Sequence, residues 1–174
     1  MKFGLLAALV VLAGCRQAQP SGQPATPAPT GLEAAAIQAG IIPDPASTDI
    51  TGLYARETDR VCIVPSATAY RIGVTVDYDD SEHCSGSGVV TRVGETLHVT
   101  LDTARTAAGC RFDARFEGDR IVFPGRLPAG CQAVCQDRAS IAGLALDRLS
   151  DAASEASTLR DPRGKLLCGD DARS

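Results

Sequence analysis

Tryptophan is absent from this chain, and aromatic residues make up only 4% of it, as four phenylalanines and three tyrosines. Side chains that fill a core with little backbone are therefore scarce. A small domain built without them has reason to use covalent staples, each contributing roughly 2–4 kcal/mol. Lysine occurs only at positions 2 and 165, and histidine only at 83 and 98. Such a distribution offers no clustered basic face, which argues against nucleic acid as a partner. Long apolar runs are missing too. A helix crossing a bilayer needs about 20 apolar residues, and the run over 4–14 stops near eleven.

What is present begins with that run. Lys2 gives a basic start, Gly4 to Gly14 is uncharged and mostly apolar, and the segment closes on Leu12-Ala13-Gly14-Cys15. A positive n-region, a short h-region and small residues before the cut form a secretory signal. With cysteine directly after Leu-Ala-Gly, the N-terminus resembles that of bacterial lipoproteins. The resemblance covers about the first sixteen residues. It implies removal of 1–14 as a signal peptide, a thioether-linked diacylglycerol on the Cys15 sulfur and an acyl group on the new amino terminus. Each buried methylene contributes about 0.8 kcal/mol, so one chain holds marginally and three hold essentially permanently. In Gram-negative envelope lipoproteins an aspartate after the lipidated cysteine signals retention at the inner membrane. Arg16 stands there instead, which implies the outer membrane, facing the periplasm.

Loss of Lys2 with the leader takes the formal charge from −4 to −5. An acidic surface is not drawn to anionic headgroups, so membrane contact is expected through lipid alone. Residues 15–30 form the lipidated cysteine and a Pro-rich tether, with Pro20, Pro24, Pro27 and Pro29 among Gln, Ala, Ser, Gly and Thr. Such a composition cannot bury a core and predicts a disordered spacer. Residues 31–43 hold a short helix over about 31–39. Thr30-Gly31-Leu32-Glu33 fits a capping box with Thr30 as N-cap, and Gly40 supplies the stop. Residues 45–170 carry the texture of a β domain.

With Cys15 assigned to lipid, six cysteines remain, Cys62, Cys84, Cys110, Cys131, Cys135 and Cys168. An even number in an exported domain reads as a disulfide framework. Cys131-x-x-x-Cys135 has ligand-like spacing, but the other four stand singly and neither histidine joins them, so no metal or other cofactor is expected. Six cysteines allow fifteen connectivities. A hairpin about Ala67 would set Cys62 opposite Ile72. Cys84 would then lie about 16 Å away at ~3.3 Å per residue, beyond the ~7 Å a disulfide tolerates between Cα atoms. Across the Gly94 turn, Cys84 falls near Arg105, within loop reach of Cys110. The favoured pairing is therefore 84–110, leaving Cys62 and Cys168 for Cys131 and Cys135.

Apolar and polar residues alternate over 70–77, 96–101 and 111–116, the signature of half-buried antiparallel strands. Glycine at 94 and 118 suits tight hairpins. Strands are expected near 52–56, 60–65, 70–77, 86–93, 96–102, 110–116 and 120–124. The stretch 139–149 reads as a strand, with a helix through Ile141, Leu144 and Ala145 as the alternative. A capped helix from Ser150 to about Leu159, ended by Pro162, and a closing strand over 165–168 follow. The fold class is mainly β, a small antiparallel meander forming a disulfide-linked barrel or curled sandwich with one or two short helices. Curling removes exposed edges.

Chemistry-bearing clusters are few. Asp77, Asp79, Asp80 and Glu82 precede His83 and could offer hard oxygens to calcium, but without the spacing or central glycine of a calcium loop, so a solvated turn is the plainer reading. Ser85-Gly86-Ser87-Gly88 is not a nucleophile elbow, because strand residues rather than a helix follow it; its glycines read as a bulge or a close backbone approach. His83 and His98 show no partner constellation. Arg111, Asp113 and Arg115 share a strand face beside Glu117, Asp119 and Arg120 and read as cross-strand charge pairs or a binding face. No catalytic residue is assigned.

The expected function is that of a lipid-anchored, non-catalytic binding or structural module whose partner is an envelope protein or a glycan. The chain also resembles membrane-bound lysozyme inhibitors, small disulfide-linked lipoprotein barrels with a Ser-Gly-x-x-Tyr segment. Here Ser87-Gly88-Val89-Val90-Thr91 keeps the Ser-Gly, places Thr91 at the tyrosine position and lacks the usual tryptophan. A periplasmic enzyme of unknown class is the remaining reading.

Overall fold

Side chains that alternate inward and outward along a strand close a sheet on one apolar face, and this chain does so eight times. The computed structural model describes residues 31–42, 49–78, 81–103 and 109–169. The signal, Cys15, the tether, Thr30, Asp79, Asp80 and Arg105 lie outside the described residues. The strands are β1 (Gly52–Arg56), β2 (Asp59–Pro65), β3 (Tyr70–Asp77), β4 (His83–Val93), β5 (Thr96–Leu101), β6 (Cys110–Phe116), β7 (Arg120–Val122) and β8 (Ala145–Ser150). Each pairs antiparallel with its sequence neighbour, and β8 returns to β1, so the meander is a closed barrel. The barrel, not the curled sandwich, is the form adopted. Closure leaves no free strand edge.

Eight strands enclose a space that side chains can just fill. Tyr54, Val61, Ile63, Ile72, Val74, Val76, Val90, Leu97, Val99, Leu101, Phe116, Ile121 and Leu146 occupy it, all buried. Phe112 and Phe123 meet edge to face with centroids 4.9 Å apart, an arrangement that adds to the area they bury. Two hairpins turn at the expected glycines, Gly94 at φ +61° and Gly118 at φ +83°. Only glycine adopts that conformation without cost.

One mouth of the barrel is covered by residues 123–144, the long excursion between β7 and β8. Its 3-10 helix, Ala129–Val134, buries Gly130, Cys131 and Val134 over the opening. Ala139, Ile141 and Leu144 are buried beside it. The expected strand over 139–149 therefore begins only at Ala145; the earlier residues cover the mouth instead. The other mouth is closed from inside. The Arg148 guanidinium lies over the rings of Tyr54 and Phe116, 5.2 and 5.6 Å from their centroids. It donates to the carbonyls of Asp49, Thr51 and Gly118 at 2.6, 2.9 and 3.2 Å.

After β8 the chain straps the outer wall. Helix α2 (Ala153–Ala156) is shorter than expected, and its N-cap, Ala152, makes no side-chain cap; Ser150 Oγ accepts from the Ala152 N–H instead. The closing strand over 165–168 is reduced to a single bridge between Arg160 and Leu166. Ala156, Leu167 and Cys168 pack on Cys62 and Val64 as a second apolar cluster outside the barrel. Helix α1 (Leu32–Gln38) has Gly31 rather than Thr30 at its N-cap, with no side-chain cap there.

The disulfides are Cys62–Cys168, Cys84–Cys135 and Cys110–Cys131. The expected 84–110 pairing does not form, nor do Cys62 and Cys168 meet Cys131 and Cys135. Register explains both corrections. The β2–β3 turn spans 66–69 rather than centring on Ala67, so Cys62 lies opposite Gly73, not Ile72. A one-residue slip exchanges faces, and Cys62 points outward to the strap. Cys84 and Cys110 are both core residues at the plugged mouth, but β5 runs between their strands. Gly88, not Cys84, shares the row of Leu101 and Cys110. Four residues of strand at ~3.3 Å each separate Cys84 from that row. The plug reaches both cysteines.

Candidate functional site

The outer face of β4 begins at the plugged mouth with His83, Ser85 and Ser87. Beside it run Ala133 to Gln136 of the plug, Asp102 and Thr103 after β5, and the strap residues Asp161, Arg163, Lys165 and Leu167. Together they line an open groove of about 380 Å³. It is a seam between four parts of the chain, and most of its wall is polar.

Local chemistry sets each wall. Asp161-Pro162-Arg163-Gly164 carries aspartate, proline and glycine where a type I turn favours them, and the Gly164 N–H donates to the Asp161 carbonyl at 2.9 Å. Asp161 Oδ1 also accepts from the Arg163 and Lys165 amides at 2.9 and 2.8 Å. These bonds fix the loop that presents the two cations. Gln136 is tied to β4 through its N–H on the His83 carbonyl, 2.8 Å. Half-buried Cys135 lines the groove and is tied by its disulfide to fully buried Cys84 beneath.

The Ser85–Gly88 segment divides between two faces. Ser85 and Ser87 border the groove, whereas Gly86 and Gly88 point inward. A Cβ on Gly86 would meet Val134 Cγ1 at 3.1 Å, and one on Gly88 would strike the backbone of Thr100 and, at 2.7 Å, Leu101. The close-approach reading therefore describes Gly88, and β4 pairs through this region without a bulge.

The remaining candidates lie apart from the groove. In the acidic turn, Glu82 accepts from Arg138 at 3.0 Å, and the Asp77 carbonyl accepts from Thr58 Oγ1 at 2.9 Å. Among the described residues no three His, Cys, Asp or Glu side chains come together as metal ligands. His98 does have a partner: its Nδ1 lies 2.7 Å from Asp113 Oδ1. Thr91 is the β4 neighbour of His98 in the same row, so Thr91, His98 and Asp113 follow one another across three strands. The row is exposed and flat, and it offers no enclosed space for a reacting group. Arg115 pairs with Glu117 at 2.6 Å and Arg120 with Asp147 at 2.7 Å. That hydrogen bond holds the Asp147 carboxyl below the usual carboxylate range and raises Arg120. Asp113 thus pairs across to β5 and Arg120 across to β8, as the cross-strand reading expects, whereas Arg115 pairs locally with Glu117, two residues on.

Sequence reasoning overlooked Gln136, Asp161, Arg163 and Lys165 as groove residues. The Asp-Pro-Arg-Gly turn was the available signal for three of them; nothing local places the strap against β4. No protein-family model matches the sequence, and neither a curated protein nor a solved structure matches it.

Proposed function

We propose that this chain is a lipid-anchored protein of the bacterial envelope whose disulfide-linked barrel is a non-catalytic recognition domain. The single observation that carries the reading is the filled interior. A barrel packed with Tyr54, Phe116 and aliphatic side chains leaves no room for a ligand of the kind that small-molecule carriers enclose. Recognition then falls to the outer surface, where the groove between β4, the plug and the strap offers a concave, largely polar wall. Ser85, Ser87, Thr103, Gln136, Arg163 and Lys165 present donors and acceptors suited to a glycan or an extended peptide.

Two measurements test this. Mass spectrometry of the N-terminal peptide from membranes is expected to show Cys15 as a triacylated first residue; unmodified Cys15 removes the anchor. A photo-crosslinker at Ser87 is expected to capture an envelope component that the same probe at Leu149, on the far wall, does not. Identical adducts from both positions would dismiss the groove.

A second reading is favoured by one placement. The Ser87-Gly88 segment resembling that of lysozyme inhibitors puts Ser87 on the groove edge and Val89 on the exposed wall beyond it. Inhibition of lysozyme by the purified protein at micromolar concentration would establish it, and no inhibition there removes it.

A further inference from the structure

We infer that residues 32–42, helix α1 with the two isoleucines that follow, dock on the surface of the lipid leaflet that carries the Cys15 anchor. The inference rests on the proposed lipidation.

Helix α1 has seven residues, none buried and no side-chain cap. A helix that short is marginal in water by itself. Its composition makes matters worse: Glu33 is the only charged residue between Arg16 and Asp44. At 100° per residue, Leu32 and Ala36 lie on one side of the helix and Ile37 on the opposite side; Gly40, at φ +68°, ends the helical path before Ile41. Within the helix only Glu33 and Gln38 are polar, and a helix so largely apolar is stabilised when an apolar surface covers it. Leu32 is 92% exposed and Ile41 76%, whereas Ala34, Ala36 and Ile37 are half-buried.

The barrel offers this segment a polar neighbour. Glu33 shares a shallow depression with Glu95, Arg115 and Glu117, which rim the mouth closed by Arg148. The exposed Leu32 and Ile41 side chains need an apolar surface, and the anchor brings the lipid close. Fifteen residues lie between Cys15 and Gly31, and the sixteen Cα–Cα steps reach at most ~55 Å. A tether of that length holds the segment near the leaflet at an effective concentration on the order of millimolar, enough to retain a weakly binding element. Nearly free of charge, the segment enters the interface without desolvating ions, and buried apolar area drives the contact. A consequence is orientation. The Arg148 mouth faces the membrane, and the groove at the plugged mouth faces away from it, toward partners.

The test uses the full-length lipidated protein in vesicles of phosphatidylethanolamine and phosphatidylglycerol, some carrying nitroxide-labelled lipid. A fluorophore is placed through Leu32→Cys, Ile41→Cys or, at the plugged end, Thr58→Cys. Quenching by the nitroxide lipid is expected to be at least threefold stronger at 32 and 41 than at 58. Ile37→Asp with Ile41→Asp is expected to abolish quenching at 32 while the protein still floats with the vesicles. Equal quenching at all three sites in floating protein overturns the docking and leaves the anchor standing. Persistence of quenching in the double aspartate variant also overturns it, since proximity alone would then explain the signal. Quenching between protein copies in place of lipid assigns the segment to self-association and overturns it. Failure of the wild-type protein to float removes anchor and docking together.

Discussion

The two mouths of the barrel are closed by different means. At one, residues 123–144 fold across the opening and are pinned by Cys84–Cys135 and Cys110–Cys131. At the other, the hairpins are too short to reach over, and Arg148 and Arg92 lie across the Tyr54 and Phe116 rings instead, Arg92 4.8 Å from the Phe116 centroid. The difference follows from the chain available at each end. A long connection poor in large apolar residues buries too little to hold itself, so covalent bonds hold it. A short turn has no backbone to spare, so inward side chains serve, with backbone carbonyls to accept their protons. The plugged mouth acquires its groove because the plug, the strap and the ends of β4 and β5 meet there.

The largest expected effect breaks the covalent end. Replacing all four plug cysteines by alanine should cost about 4–7 kcal/mol, taking the two loops together. That is a large share of the ~5–15 kcal/mol that stabilises a typical domain. Guanidinium denaturation should show it, with binding of a hydrophobic dye if the mouth opens before the barrel unfolds. Next comes Gly88→Ala. Its Cβ would press on the Thr100 and Leu101 backbone rather than on a movable side chain. A loss of about 3 kcal/mol is expected, visible in the same denaturation curve.

At the non-covalent end, Arg148→Met keeps the apolar stem and strands three carbonyls, which should cost about 2–3 kcal/mol. A loss equal to that of the plug variant would erase the distinction between the two ends. Tyr54 sharpens it through pH. Burial holds its hydroxyl proton well above the ordinary tyrosine value, and that hydroxyl donates to the Ile50 carbonyl at 2.8 Å. The folded pKa is the higher one, so the unfolded chain ionises first, near pH 10, and stability falls as pH rises beyond that point. Tyr54→Phe should cost about 1 kcal/mol at neutral pH and flatten the alkaline loss in thermal melts. The smallest effect is expected at Asp147→Asn, which breaks the fully exposed pair with Arg120. Any stabilisation from this carboxylate is lost as pH falls through its depressed value. The variant's melting midpoint should match the wild type in high salt.

Much of the barrel was legible in the sequence. The two-residue period of β3, β5 and β6 and the glycines at 94 and 118 are local signals that nothing distant overrides. The pairing of cysteines was not legible, because it turned on one residue of register at Ser66 to Ala69 and on a plug with no periodicity. The groove was legible only in pieces. Ser85, Ser87 and His83 stood out, whereas Arg163 and Lys165 gain meaning from Leu167 packing over Gly73, where no Cβ intervenes. The shortened helix after Ser150 has a similar cause: the strap follows the outer wall and the 62–168 disulfide rather than its own propensity.

By itself the sequence determined the class of fold, since alternating side chains and tight turns are properties of neighbouring residues. It also determined that the chain carries six cysteines beyond the one in its leader motif. Tertiary structure alone decided which sulfurs meet, how each mouth is closed and where a groove opens, because these depend on which distant segments share a face once the sheet has closed.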